Sequence, residues 1–144
     1  VCHLDISLEN CLIQNGVIYF CDFGLAEVFN DHQFKCKKYV GKPNYKSPEI
    51  HRKKGCFNAK KADIWSLGVC LFMMLCGVPL YKKASLSDPY YCNLKMGYLR
   101  EMVKLWGLSD MLNDDAYDLL GNILKSEKDR YTIKQILQHP FMSM

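Results

Sequence analysis

No C-x-x-C pair occurs among the eight cysteines of this 144-residue chain, and their spacing is irregular (Cys2, Cys11, Cys21, Cys36, Cys56, Cys70, Cys76, Cys92). That excludes zinc-ligand spacing, and the count lies below the ~8–10% density of a disulfide scaffold. Reduced thiols in an intracellular, cytoplasmic protein are the expectation. Long hydrophobic runs are also lacking: the longest, 64–80, is interrupted by Ser66, Gly68, Gly77 and Pro79. A bilayer span needs ~20 predominantly apolar residues, so this run is expected to be a buried core helix. Charge of one sign is scarce, with 19 Lys plus Arg against 15 Asp plus Glu, a net of +4. So mild a balance implies neither nucleic acid nor a membrane as partner. There is no internal repeat, low-complexity tract or linker, and no Ser or Thr between positions 22 and 46.

What is present describes one domain of ordinary globular composition, 49% hydrophobic and 24% charged, with enough length for one core. The start reads as a loop over residues 1–10. Two short apolar runs follow, 11–13 and 17–21, joined through Asn15-Gly16, the strongest short signal for a hairpin turn. Residues 22–46 carry no sustained period, and long irregular segments of this kind are usually functional. After Ser47 everything reads as helical. Asp63 is a candidate cap for a helix over 64–76, stopped by Gly77; further helices are expected at 90–95, 97–105, 115–125 and 132–138, the last halted by Pro140. The fold class is therefore mainly α with one small β-hairpin. Trp65, Phe72, Met73 and Met74 are expected in the core, and His32, His51 and His139 in surface or structural positions.

Three constellations carry chemistry. The first is His3-Leu4-Asp5 with Asn10, an H-x-D-x-x-x-x-N pattern. The second is Asp22-Phe23-Gly24, directly after the second apolar run. The third is the stretch 41–49, which ends in Ser47-Pro48-Glu49. Each has an ordinary explanation alone: loop caps, a strand terminator, a surface acid. Their joint order and spacing are specific, and the chain resembles the C-terminal lobe of a eukaryotic protein kinase. The resemblance covers the whole chain, including Asp63-Ile64-Trp65-Ser66-Leu67-Gly68 and an Arg130 that resembles the arginine pairing with Glu49. It divides residues 1–144 into a catalytic loop (1–10), a hairpin (11–21), an activation segment (22–49) and a helical subdomain (50–144).

The resemblance implies transfer of the ATP γ-phosphoryl group to a protein hydroxyl. Asp5 would orient and deprotonate that hydroxyl, and Asn10 and Asp22, hard oxygen ligands, would hold Mg²⁺. Gly24 would permit the turn that aims Asp22. Leu12 and Cys21 would line the adenine pocket, and His3 would pack the catalytic loop. The segment 43–49 resembles the Ser/Thr form of the substrate loop more than the Tyr form. The expected partners are a protein substrate, ATP and an N-lobe. No phosphate-covering loop or strand lysine is present, so the chain starts inside a motif, its true N-terminus is expected upstream, and alone it is expected to be inactive.

Three positions depart from the family. Leu4 stands where most regulated kinases carry an arginine that clamps an activation-segment phosphate, which agrees with the missing Ser and Thr in 22–46. Ser7 stands in place of a lysine that contacts the transferred phosphoryl group, and Lys42 in place of a hydroxyl residue. A reciprocal exchange is expected, with Lys42 reaching back over Asp5 and Ser7 supplying the hydroxyl. Leu4, Ser7 and Lys42 also keep open an alternative, a pseudokinase acting as scaffold or allosteric binding module. Asp5, Asn10 and Asp22 speak against it.

Overall fold

The computed structural model describes residues 1–30 and 33–143, which leaves His32 outside the described residues. After a short 3₁₀ turn at Leu8–Asn10, strands β1 (Cys11–Gln14) and β2 (Val17–Phe20) form an antiparallel hairpin in which Leu12 faces Tyr19. Asn15 and Gly16 both have positive φ, 52° and 76°, as a type I′ turn demands. A second two-stranded sheet, absent from the sequence-based expectation, pairs β3 (Lys35–Cys36) with β4 (Phe57–Asn58). At two residues each, these strands are too short to show alternation.

Helix α1 (Pro48–Arg52) opens with proline in its first turn, where the missing N–H costs nothing. Helix α2 (Ala59–Cys76) begins earlier than expected, because the Asn58 side chain accepts from the Lys61 N–H and caps it. Asp63 is therefore no cap: it lies inside the helix, and its carboxylate is used elsewhere. Gly77 closes α2 in the left-handed conformation, as expected. Helices α3 (Pro89–Lys95), α4 (Leu99–Leu105), α5 (Asp114–Ile123, capped by Asn113) and α6 (Ile133–Leu137) follow. A capping box of Thr132 and Gln135 starts α6. The body is mainly α with two small antiparallel sheets.

Helix α2 is the axis of the core. Trp65, Val69 and Phe72 are almost wholly buried, in one cluster with Leu119, Leu120 and Ile123 of α5. Gly68 sets that approach, since an added Cβ would run into the Ile123 side chain. Met73 packs at the edge of the core, but Met74, expected inside, is exposed. A helix at the centre of a one-core domain still turns one stripe to solvent. A smaller cluster joins Cys2, Leu4, Cys36, Ile50, Phe57 and Ala62. All eight cysteines are free; burial pushes the Cys2 thiol up to about 11 and Cys70 to about 12, so both are inert at neutral pH.

Glu49 on α1 and Arg130 form a bidentate buried pair, with guanidinium nitrogens donating to Oε1 at 2.6 Å and Oε2 at 3.1 Å. Arg130 also donates to the carbonyls of Lys61 and Lys125, and its guanidinium lies 4.9 Å from the Trp65 ring centre. Arg130→Leu is expected to cost about 3–5 kcal/mol in urea unfolding, because it strands the Glu49 charge. Glu49→Leu/Arg130→Leu should recover part of that loss; an unchanged midpoint in the single variant would remove the pair from the stability account.

Asp88 caps α3 and accepts backbone N–H bonds from Lys82, Lys83, Tyr90 and Tyr91. Burial opposes its ionisation, yet these bonds prevail and hold its pKa below the ordinary carboxylate value. A depressed folded pKa gives stability that is present at neutral pH and is lost as pH falls below about 4. Asp88→Ala is expected to lower stability by about 1–3 kcal/mol at neutral pH and to flatten the acid side of the stability profile. Thermal melts from strongly acidic to neutral pH check both outcomes.

Candidate active site

Helix α2 carries the anchor of the first motif. Asp63, half-buried in the helix, accepts the His3 N–H at 2.7 Å through Oδ2 and the Leu4 N–H at 2.8 Å through Oδ1. Burial dominates and raises its pKa despite the two bonds. The clamp holds Leu4 at a positive φ of 63°, a strained position for a branched residue. That turn delivers the Asp5 carboxylate to Asn10 and the Lys42 backbone.

His3 joins the first motif to the second. Its Nε2 donates to the Cys21 carbonyl at 3.0 Å, which leaves Nδ1 to accept the Asp5 N–H at 3.3 Å. Those two partners assign the neutral Nε2–H tautomer. The ring packs against Phe23, with centres 4.8 Å apart. His3 is thus a packing residue of the loop, in agreement with the reading from sequence.

Asp5, Ser7, Asn10 and Lys42 come together. Asn10 Nδ2 donates to the Asp5 carbonyl at 2.9 Å and to Asp5 Oδ2 at 3.0 Å. The Lys42 backbone N–H reaches Asp5 Oδ1 at 3.2 Å, while its ammonium lies 3.5 Å from Oδ2 and donates to Ser7 Oγ at 2.7 Å. Ser7 is fully buried and Asp5 largely so. Gly41 makes this contact between distant segments possible: its φ is 93°, and a Cβ there would meet the Leu4 carbonyl oxygen at 2.8 Å.

Asp22 stands at the end of the hairpin, in the left-handed conformation at φ 61°, with its carboxylate accepting the Gly24 N–H at 3.3 Å in an exposed setting. This corrects one expectation: the turn is made by Asp22 itself. A Cβ on Gly24 would sit 3.2 Å from Asp22 Oδ1, a tight contact that the exposed carboxylate relieves by a small shift. Among the described residues no cluster of three or more His, Cys, Asp or Glu side chains forms a metal site. The donor chemistry still fits a hard cation: Asn10 spends its NH₂ on Asp5 and keeps its carbonyl oxygen, and Asp22 is an accessible carboxylate. Leu12 is exposed on β1, and Cys21 is half-buried with its Sγ donating to the Asn10 carbonyl at 3.4 Å. His51 Nε2 donates to the Pro43 carbonyl, and buried His139 contacts Asp118, so both are structural as expected.

The sequence profile of the protein kinase domain matches residues 1–142. The chain belongs to the protein kinase family. It is 32% identical to the mouse serine/threonine-protein kinase DCLK3 over 100% of its own length and 18% of that protein's. It is 34% identical to a probable cell cycle serine/threonine-protein kinase, a CDC5 homolog of Encephalitozoon cuniculi, over 99% of the chain and 29% of that protein. With the Schizosaccharomyces pombe serine/threonine-protein kinase chk1 the identity is 32%, over 99% of the chain and 28% of the relative. The chain therefore spans less than a third of the length of these relatives. No helix among the described residues is long and apolar enough to cross a membrane.

The residue that sequence reasoning misplaced is Asp63. Its signals are its place at the head of the Asp63-Ile64-Trp65-Ser66-Leu67-Gly68 stretch and an acid before an apolar run, which a cap explains equally well. Asp63→Asn replaces one acceptor with a donor that opposes a backbone N–H. It is expected to cost about 1–3 kcal/mol in thermal unfolding and to raise amide exchange at His3 and Leu4. Unaltered exchange there would show that the loop holds without the clamp.

Proposed function

We propose that the protein containing this chain is a serine/threonine protein kinase that uses Mg²⁺ and ATP. The observation that supports this best is the convergence of Asp5, Asn10, Lys42 and Ser7. In this reading the substrate hydroxyl oxygen bonds to the γ-phosphorus of ATP as the bond from phosphorus to the β–γ bridging oxygen breaks. Asp5 accepts the hydroxyl proton, and ADP leaves. Lys42, with three donors of which one is spent on Ser7, offers charge to the γ-phosphoryl oxygens. Ser7 takes the part of the hydroxyl that fixes that lysine. Asn10 and Asp22 would hold the Mg²⁺, which supplies neutralisation of phosphate charge.

Leu12 and Cys21 are assigned to the adenine side. The hairpin leaves Leu12, Ile13, Val17, Ile18 and Tyr19 exposed, with Phe23 beside them. An apolar surface of that kind marks a contact, and we assign it to the N-lobe and nucleotide. Residues 22–49 are read as the activation segment. Leu4 is buried with Cys36 and Phe57, so apolar packing fastens the segment where related kinases place a phosphate-binding arginine. A protein substrate and a cytoplasmic site of action belong to the same reading.

Phosphate transfer from labelled Mg-ATP by the full-length protein tests it. Asp5→Asn is expected to lower the rate by at least about 100-fold. Lys42→Thr should lose about 100–1,000-fold in kcat, and adding Ser7→Lys should restore a substantial share. A double variant no better than Lys42→Thr would sink the exchange of roles. Mg-ATP binding with no transfer would turn the same residues into those of a scaffold.

A further inference from the structure

A sizeable cavity lies away from Asp5. It has a volume of about 900 Å³ and lies between α1, the start of α2, α3, α4 and α5. Its floor is apolar and firm: Trp65, Tyr91, Leu94, Leu99 and Leu124 are all buried. Beneath it, the Trp65 indole N–H donates to Tyr81 Oη at 2.7 Å. Its rim carries the cations Arg52, Lys95, Arg100 and Lys125, with His51 beside them, and no Asp or Glu is among the lining residues.

The rim cations are not consumed by internal pairing. Arg100 lies 4.1 Å over the Tyr117 ring and meets Asp114 at 2.8 Å, but both partners of that pair are largely in solvent, where such a pair is easily exchanged. Lys125 donates to the neutral Asn122 amide oxygen. Arg52 contacts the Pro48 carbonyl. Burial foremost, and then the nearby charges of Lys46, Lys83 and Lys53, hold His51 below its ordinary pKa despite the Pro43 carbonyl bond. The cationic field thus extends beyond the rim.

We propose that this cavity is a docking site for an acidic peptide segment of a partner protein, one that inserts an aliphatic or aromatic side chain over Trp65 and sets flanking carboxylates against Lys95, Arg100 and Lys125. Apolar depth with a rim of single sign fits an anchored peptide. A flat anionic membrane could touch the rim but could not fill the recess. The site is separate from Asp5 and stands independently of the phosphoryl-transfer reading.

The test is fluorescence anisotropy with the full-length protein, no nucleotide present, and a labelled peptide carrying one Phe between runs of Glu. Lys95→Glu/Lys125→Glu is expected to weaken binding by about tenfold, with a matching loss of salt dependence. Gly121 lines the cavity, and a Cβ added there meets nothing within 4 Å. Gly121→Leu should therefore occupy the recess and abolish binding, with a melting temperature equal to or above that of the parent. Equal affinity for Ser-flanked or Lys-flanked peptides, indifference to either variant, or binding to phosphatidylserine vesicles but not to the peptide would each overturn the proposal. Because the readout is binding, its failure leaves the transfer assay unaffected.

Discussion

A half-buried carboxylate on the central helix holds the two backbone N–H groups that precede Asp5. Asp63 could not be apolar, because two buried donors would then be orphaned. Nor could it lie in a flexible loop, since the Leu4 backbone is strained and relaxes unless a rigid element opposes it. Helix α2 supplies the rigidity through Trp65, Val69 and Phe72, and α5 closes on it over Gly68. The geometry around Asp5 thus rests on the packing of a helix that comes much later in the chain. His3 then passes that order to the hairpin end, so that Asp22 and Asp5 are both referred to the same helix.

The second organising device is the close approach of Gly41 to the Leu4 backbone. It brings Lys42 over the loop and allows one residue to meet Asp5 twice, by its amide and by its ammonium, while also reaching Ser7. A lysine and a hydroxyl side by side are what the family chemistry calls for, and either residue can contribute either one if the backbones approach closely enough. In the proposed reading the two positions have exchanged these groups and the pair is kept. At Leu4 the substitution has a different effect. An apolar side chain joins a small core with Cys36, Phe57 and Ala62, so packing takes over the work of holding residues 35–58 to the loop.

The distribution of charge separates two surfaces. Around Asp5 opposite charges are interleaved and satisfied within the chain. Around the cavity below α1 the balance is weaker: Arg100 meets Asp114 in a solvent-exposed pair, and Glu49 is turned inward to Arg130. That inward pair also supports the cavity floor, because the guanidinium lies over Trp65.

Much of this was legible in the residues. Order and spacing of His3, Asp5, Asn10, Asp22, Glu49 and Arg130 pointed to the family. The Asn15-Gly16 turn, the Gly77 stop and the helix start near Thr132 came from local chemistry, which acts within a turn of helix or hairpin and so leaves a local mark. The β3–β4 pairing left none, because its strands are too short to carry a pattern. Asp63 was legible as an acid near a helix start, but its role depends on donors at the far end of the chain. Met74 shows the same limit: hydropathy gives a preference for burial, and only the packed neighbours of α2 decide which stripe stays wet. Sequence determined which functional groups this protein has and where its helices turn. Tertiary structure decided which groups meet, because contacts such as Lys42 with Ser7, or a ring of bases around one apolar recess, are set by core packing between distant segments.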